Sequence, residues 1–103
     1  MKTSYTNESQ QRLLKVIIVL FSDVVRGVSA HQVRKETGCS AAAAHRDLCN
    51  LQEAGWAVQD ETSGTWRIAP RIGQQAIKIF NAIERSQRMV DEARRRYTNT
   101  NPD

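Results

Sequence analysis

The sequence predicts a mainly α fold: a winged helix-turn-helix of three helices plus a β-hairpin, with a long C-terminal helix. Three observations predict it. Two separately capped helical stretches flank Thr37-Gly38-Cys39-Ser40, which is the helix-turn-helix signature. After Gly55 the apolar spacing changes from helical to alternating around a polar turn, as in a hairpin. After Pro70 the apolar residues fall on a heptad.

The elements follow in chain order. Asn7 with Gln10 three residues on starts a helix expected to run to about Val25. Leu13, Leu14, Val16, Ile17, Ile18, Val19, Leu20 and Phe21 make its apolar stripe too wide for one neighbour, so burial on two sides is expected. Gly27 breaks the pattern. Ser29 and Gln32 then form a capping box, with Val28 and Val33 as its hydrophobic staple, and Gly38 closes this short helix. Ser40 caps a third helix that Gly55 ends, with Ala44, Leu48 and Leu51 as its core face. Trp56, Val58, Trp66 and Ile68 alternate around residues 60–64, and both tryptophans are expected to close the core. Pro70 ends the hairpin, and a helix follows from Arg71 or Ile72 to Tyr97.

Size and composition limit the function. The chain has 103 residues, 40% hydrophobic and 25% charged. That is room for one compact domain plus a helical extension. The division expected is 1–70 as a DNA-binding winged domain, 71–97 as a dimerisation helix and 98–103 as a frayed tail. The longest apolar run, residues 16–21, is far too short to cross a bilayer, and the polar first ten residues lack a signal-peptide core. With only Cys39 and Cys49, in no paired framework, reduced thiols in a cytoplasm are expected. Cys39, His45 and Cys49 have neither the spacing nor the fourth ligand of a zinc site, so no metal is expected. No Ser/His/Asp spacing, carboxylate pair or Gly-rich phosphate loop gives catalysis a foothold, and neither enzyme activity nor a cofactor is expected.

The net charge of +4 fits a polyanionic partner. Its distribution is uneven. Residues 1–70 hold eight Lys/Arg against seven Asp/Glu, whereas residues 71–103 hold seven against four. Arg94-Arg95-Arg96 can add salt-dependent phosphate attraction, or can simply be solvated charge suited to a helix C-terminus.

A helix fits the major groove of B-DNA, which makes residues 40–53 the candidate recognition helix and double-stranded DNA the candidate partner. Its outer face is expected to present Ala41, Ala42, Ala43, His45, Arg46, Cys49 and Asn50. The alanines let the backbone approach, and their methyls can meet thymine methyls; Arg46 suits a phosphate or a guanine, and Asn50 an adenine. Ser40 and the helix N-terminus can accept a phosphate. Arg34 and Lys35 on the second helix, and Arg67 on the hairpin, are further phosphate candidates, although Asp60 and Glu61 at the hairpin tip would repel one.

Thr37-Gly38-Cys39-Ser40, then Ala44-His45-Arg46, Leu48, Leu51 and Gly55-Trp56 resemble the DNA-binding domain of IclR-type bacterial transcription regulators. That family reads T-G-apolar-P/S, then V-H/Y-R-x-L-x-x-L, then G-aromatic-V. Residues 66–68 with Pro70-Arg71 are similar to its wing exit. The resemblance spans about residues 13–76 and implies a winged-helix fold, dimeric DNA binding and transcriptional control. Ala42 and Ala43 stand where the family usually has Ser or Thr. The family continues into a ligand-binding domain that 103 residues cannot hold, so no small-molecule ligand is expected. A free-standing domain of this size suits a phage or prophage regulator.

The last helix supplies a partner. Ile72, Ala76, Ile79, Ile83, Ser86, Val90, Ala93 and Tyr97 are spaced by three and four. Its first half can cover the first helix, while Val90, Ala93 and Tyr97 protrude unless a second copy receives them. A homodimer through Ile79, Ile83, Val90, Ala93 and Tyr97 is therefore expected, by a coiled coil or an exchanged helix. It would read a palindromic site in half-sites about 34 Å apart. Three alternatives stand beside this reading: a helix folded back on its own domain, a winged helix used for protein–protein contact, and an architectural or RNA-binding module that binds many sequences alike.

Overall fold

The computed structural model describes residues 5–99. Asn7, in extended backbone, accepts the Gln10 N–H at 3.0 Å and starts α1 (Glu8–Leu20). α1 ends five residues before the Val25 expected from its apolar run. The Phe21 N–H turns back to the Ile18 carbonyl. Asp23 then accepts the backbone N–H groups of Val25 and Arg26, at 3.1 and 2.9 Å. A carboxylate offering the backbone a turn competes with helix continuation, a choice that hydrophobic periodicity does not register.

α2 (Ala30–Thr37) begins at Ser29, whose Oγ accepts the Gln32 N–H, and ends at Gly38 with φ 73°, whose N–H reaches the Arg34 carbonyl. α3 (Ala41–Glu53) starts at Ser40, whose Oγ accepts the Ala43 N–H at 3.1 Å. It closes in a Schellman motif. The Trp56 N–H bonds the Leu51 carbonyl at 2.8 Å, and Gly55 at φ 80° donates to Gln52.

Two short antiparallel strands follow, β1 (Ala57–Gln59) and β2 (Trp66–Ile68), with Ala57 opposite Ile68 and Gln59 opposite Trp66. Val28 adds a bridge to Trp66, with reciprocal N–H···O bonds of 2.8 and 2.7 Å. The linker before α2 is thereby stitched to the hairpin, a pairing that one bridging residue leaves no sequence pattern to predict. α4 (Pro70–Thr98) opens with Pro at its first position, where no intrahelical N–H is needed. It includes Thr98, where the sequence places the start of the tail; of that tail, residues 100–103 lie outside the described residues.

The chain divides into two units, one ending at Ile72 and the other beginning at Gly73. The first has one apolar core: Val16 and Leu20 of α1, Val28, Val33 of α2, Ala44, Leu48 and Leu51 of α3, Ala57, Trp66 and Ile68. Full burial of a side chain such as Leu48 contributes about 1.5–3 kcal/mol.

Two burial expectations need correction. On α1, Val16 and Leu20 are buried, yet Leu14 and Ile18 on the opposite side are exposed, Ile18 by 70%. In the hairpin only Trp66 closes the core, at 4% exposed, while Trp56 is 40% exposed. The Trp56 backbone is engaged on both sides: its N–H donates to the Leu51 carbonyl in the Schellman turn, and its carbonyl accepts the Ala69 N–H beyond β2. Alternation along the strand then turns Ala57 inward and leaves Val58 half-buried. In the second unit, taken by itself, no residue of α4 is buried, and Ile79, Ile83, Val90 and Tyr97 are exposed.

Candidate nucleic-acid interface

Exposure along α3 has helical period. Ala41, Ala42, His45, Arg46, Cys49 and Asn50 face outward, whereas Ala43, Ala44, Asp47, Leu48 and Leu51 face inward. Ala43, expected on the outer face, is 6% exposed. It sits one position before Ala44 and four before Asp47, on the edge of the core face, and its methyl is not available to a groove. The other predicted α3 residues form one continuous outer stripe. Ser40 at its start is exposed, and its Oγ is engaged by the Ala43 N–H.

The stripe has one cationic side chain, Arg46, which makes no hydrogen bond or ion pair among the described residues, and exposed Glu53 closes the same face. Arg46 and Asn50 share a shallow cleft with Ser9, Gln10 and Leu13 of α1. Ser9 and Gln10 were not singled out from sequence, because only the packing of α1 across α3 brings them to the stripe. Cys49 Sγ lies 3.5 Å from His45 Nε2. Cys39 is held elsewhere, half-buried against the core, with its Sγ 3.0 Å from Thr37 Oγ1. No three His, Cys, Asp or Glu side chains converge among the described residues.

Beneath the stripe, Arg12 of α1 holds Asp47 by two bonds, Nε to Oδ2 at 2.7 Å and Nη2 to Oδ1 at 3.0 Å. A two-pronged grip fixes orientation as well as distance, so α3 is locked in rotation against α1. The bond to Asp47 raises the Arg12 pKa above its ordinary value. Sequence reasoning missed this pair. The signal was present, since Asp47 occupies the core phase beside Ala44, Leu48 and Leu51, where a carboxylate demands a cation.

The phosphate candidates separate. Arg34 of α2, with His31, borders a cleft that includes Ala30, Ala41 and Ala44, so it adjoins the start of the stripe. Lys35 is exposed in the last turn of α2. Arg67 on β2 is half-buried, with Nη1 3.6 Å from Asp60 Oδ2. Asp60 does not project from the wing tip as the sequence implied. Its Oδ1 accepts the Thr62 and Ser63 N–H groups, each at 2.8 Å, and these bonds hold its pKa below the ordinary value. Glu61 remains exposed at the tip.

Three helices in this order, a two-stranded wing and an open third helix define a winged helix-turn-helix domain. Solved structures share the fold. HmgR of Pseudomonas aeruginosa matches 74% of the chain at 21% identity with a TM-score of 0.57. The chain spans only 29% of HmgR's length. The Zalpha domain of Cyprinid Herpesvirus3 ORF112, solved with Z-DNA, matches 60% of the chain and 98% of that domain at 19% identity, TM-score 0.52. The Zalpha domain of Carassius auratus PKZ, also in complex with Z-DNA, matches 60% and 98% at 22% identity, TM-score 0.53. No family model and no curated protein sequence matches the chain. No helix among the described residues is long and apolar enough to cross a membrane.

Proposed function

We propose that this chain is a sequence-specific transcription regulator that binds double-stranded DNA as a homodimer, with α3 in the major groove. The carrying observation is the outer stripe of α3, where Ala41, Ala42, His45, Arg46 and Asn50 stand open while Arg12 and Asp47 hold the helix rigid from behind. Ala41 and Ala42 allow close approach and contact thymine methyls, Arg46 takes a guanine or a phosphate, and Asn50 takes an adenine. Ser40, Arg34, Lys35 and, on the wing, Arg67 meet the backbone and set register. Ala43 has no place among these contacts.

The fold shared with Zalpha domains solved on Z-DNA supports a nucleic-acid partner. The residues that resemble IclR-type regulators support transcriptional control. Dimerisation is read from the exposed α4 positions Ile79, Ile83, Val90 and Tyr97 and from the half-buried Ala93 on the same stripe. No catalytic step, cofactor or small-molecule ligand enters the reading, and a DNA regulator works in the cytoplasm of a bacterial cell. The exposure of Leu14 and Ile18 favours a second reading, a winged helix that docks another protein.

Selection from a random duplex library, followed by anisotropy titrations, tests the proposal. A recovered motif bound better than unrelated duplexes, with affinity falling steeply as salt rises, is expected from counterion release. Absence of binding to any right-handed duplex at low salt defeats it. Preference for a left-handed duplex would replace sequence reading by shape reading.

A further inference from the structure

We propose that Ser9 and Gln10 of α1 hold the phosphates of one DNA strand while Arg34 of α2 holds those of the opposite strand, with α3 in the groove between them. The inference rests on the duplex-binding reading above and adds the contacts that seat the helix. Its basis is that the open stripe of α3 has two rims, each built by a different helix of the first unit. On one rim Arg46 and Asn50 share a cleft with Ser9, Gln10 and Leu13. On the other, Ala41 shares a cleft with Ala30, His31 and Arg34.

The rims lie on opposite sides of α3. At 3.6 residues per turn, Arg46 and Asn50 stand about 140° and about 180° around the helix from Ala41. A helix with its side chains is about 10–12 Å across and the major groove about 12 Å wide, so α3 fills the groove alone. Helices packed against it, at about 8–10 Å between axes, have no room at the same depth and meet the groove walls. Those walls are the two sugar-phosphate strands, one towards α1 and the other towards α2.

The side chains on each rim suit phosphate. Ser9 and Gln10 are exposed, and only the Gln10 backbone N–H is engaged, by Asn7. Their hydroxyl and amide groups are neutral donors of the kind that fix a duplex by its backbone. The neighbouring carboxylates do not oppose a phosphate there. Both Asp47 oxygens are held by Arg12, and Glu8 borders a separate cleft beside Lys15 and Thr37. On the α2 rim Arg34 brings a guanidinium, and no carboxylate lines the cleft. Glu36, two residues after Arg34, lies about 160° away around α2.

The two rims therefore differ in kind. The α2 rim neutralises phosphate and adds to the salt dependence of binding. The α1 rim orients the duplex through neutral hydrogen bonds and displaces no counterions. Neither touches a base edge, so each strengthens binding alike across sequences.

Phosphate-ethylation interference tests the assignment, on the duplex bound most tightly in the random-library selection. The full chain is compared with the double variant Ser9→Ala/Gln10→Ala and with Arg34→Ala. The full chain should show interference on both strands. The double variant should lose it on one strand, and Arg34→Ala on the other. The double variant should bind about three- to tenfold more weakly, with its salt dependence unchanged. Arg34→Ala should make the slope of log affinity against log salt shallower by about 1. Alanine suits an exposed helix position, and circular dichroism checks that each variant folds. Gln10→Glu is a second probe, which keeps the side-chain shape and suits a helix start. It should weaken binding by a factor that shrinks as salt rises. Loss on the same strand in both alanine variants overturns the proposal and spares the regulator. So does full-chain interference and affinity in both the double variant and Gln10→Glu. Absence of binding to any duplex overturns the regulator reading and this inference together.

Discussion

Arg12 on α1 and Asp47 on α3, 35 residues apart in sequence, meet through two hydrogen bonds of 2.7 and 3.0 Å directly behind the outer stripe of α3. Asp47 is buried and Arg12 half-buried, so the pair is a joint between two helices more than a surface ornament. Removing one partner strands the other in a place built for two. Arg12→Leu or Asp47→Leu alone should lower the urea midpoint clearly. The double variant should lose less than the sum of the two. A double-mutant cycle in urea measures this, and strict additivity would show that the pair does not couple the helices.

Arg46 is the one cationic side chain on the stripe. Arg46→Ala should weaken duplex binding by about 1–3 kcal/mol and relax preference at one base position if it grips a guanine. If it holds a phosphate, the loss should be uniform across sequences and the salt dependence should become shallower. Anisotropy titrations over a salt series separate these outcomes. In neither case should the thermal midpoint move.

The core makes a sharper demand than the surface. Leu48 is fully buried, and Leu48→Ala should cost about 2–5 kcal/mol in denaturant unfolding. The tryptophans should differ. Trp66→Ala should cost about 3–5 kcal/mol, as an emptied core position does. Trp56→Ala should cost distinctly less, because much of that ring already faces water. Equal losses would contradict the strand phase that puts Ala57 inside.

The wing has a pH-dependent element. Asp60 is held below its ordinary pKa of 3.8, first by the Ser63 N–H and then by that of Thr62. Because the folded value is the lower one, its contribution is present above about pH 4 and is lost as pH falls through the folded value. Asp60→Asn should therefore lower the melting temperature at pH 7. The gap between the two proteins should narrow towards pH 3. A gap independent of pH would assign the turn to the backbone alone.

α3 needs its cap. Ser40→Ala should destabilise by about 1 kcal/mol, since the Ala43 N–H loses its partner at a helix start. Ser40→Asp should restore most of the stability, because aspartate caps equally well. If Ser40 also meets a phosphate, that same variant should bind duplex DNA more weakly than wild type. Stability and affinity then move in opposite directions, which unfolding curves and titrations read independently.

Much of the architecture was determined by the sequence alone, through local signals. Ser29, Gly38, Ser40 and Gly55 mark helix ends because a capping hydroxyl and a left-handed glycine act within a few residues of themselves. The core face of α3 was legible in the spacing of Ala44, Leu48 and Leu51, and the heptad of α4 in its threes and fours. These are short-range or periodic facts, and a one-dimensional string records both.

Only the tertiary structure decided the rest. The end of α1 turned on Asp23, where a side chain competes with the helix for the same N–H groups. The phase of β1 turned on how Trp56 leaves the Schellman turn, and the fate of Ala43 on where the edge of the core falls. The Arg12–Asp47 grip, the Val28–Trp66 bridge and the cleft joining Ser9 and Gln10 to Arg46 span 35 to 38 residues of chain. Such pairings depend on helix crossing and strand register, which arise only when the whole core packs at once.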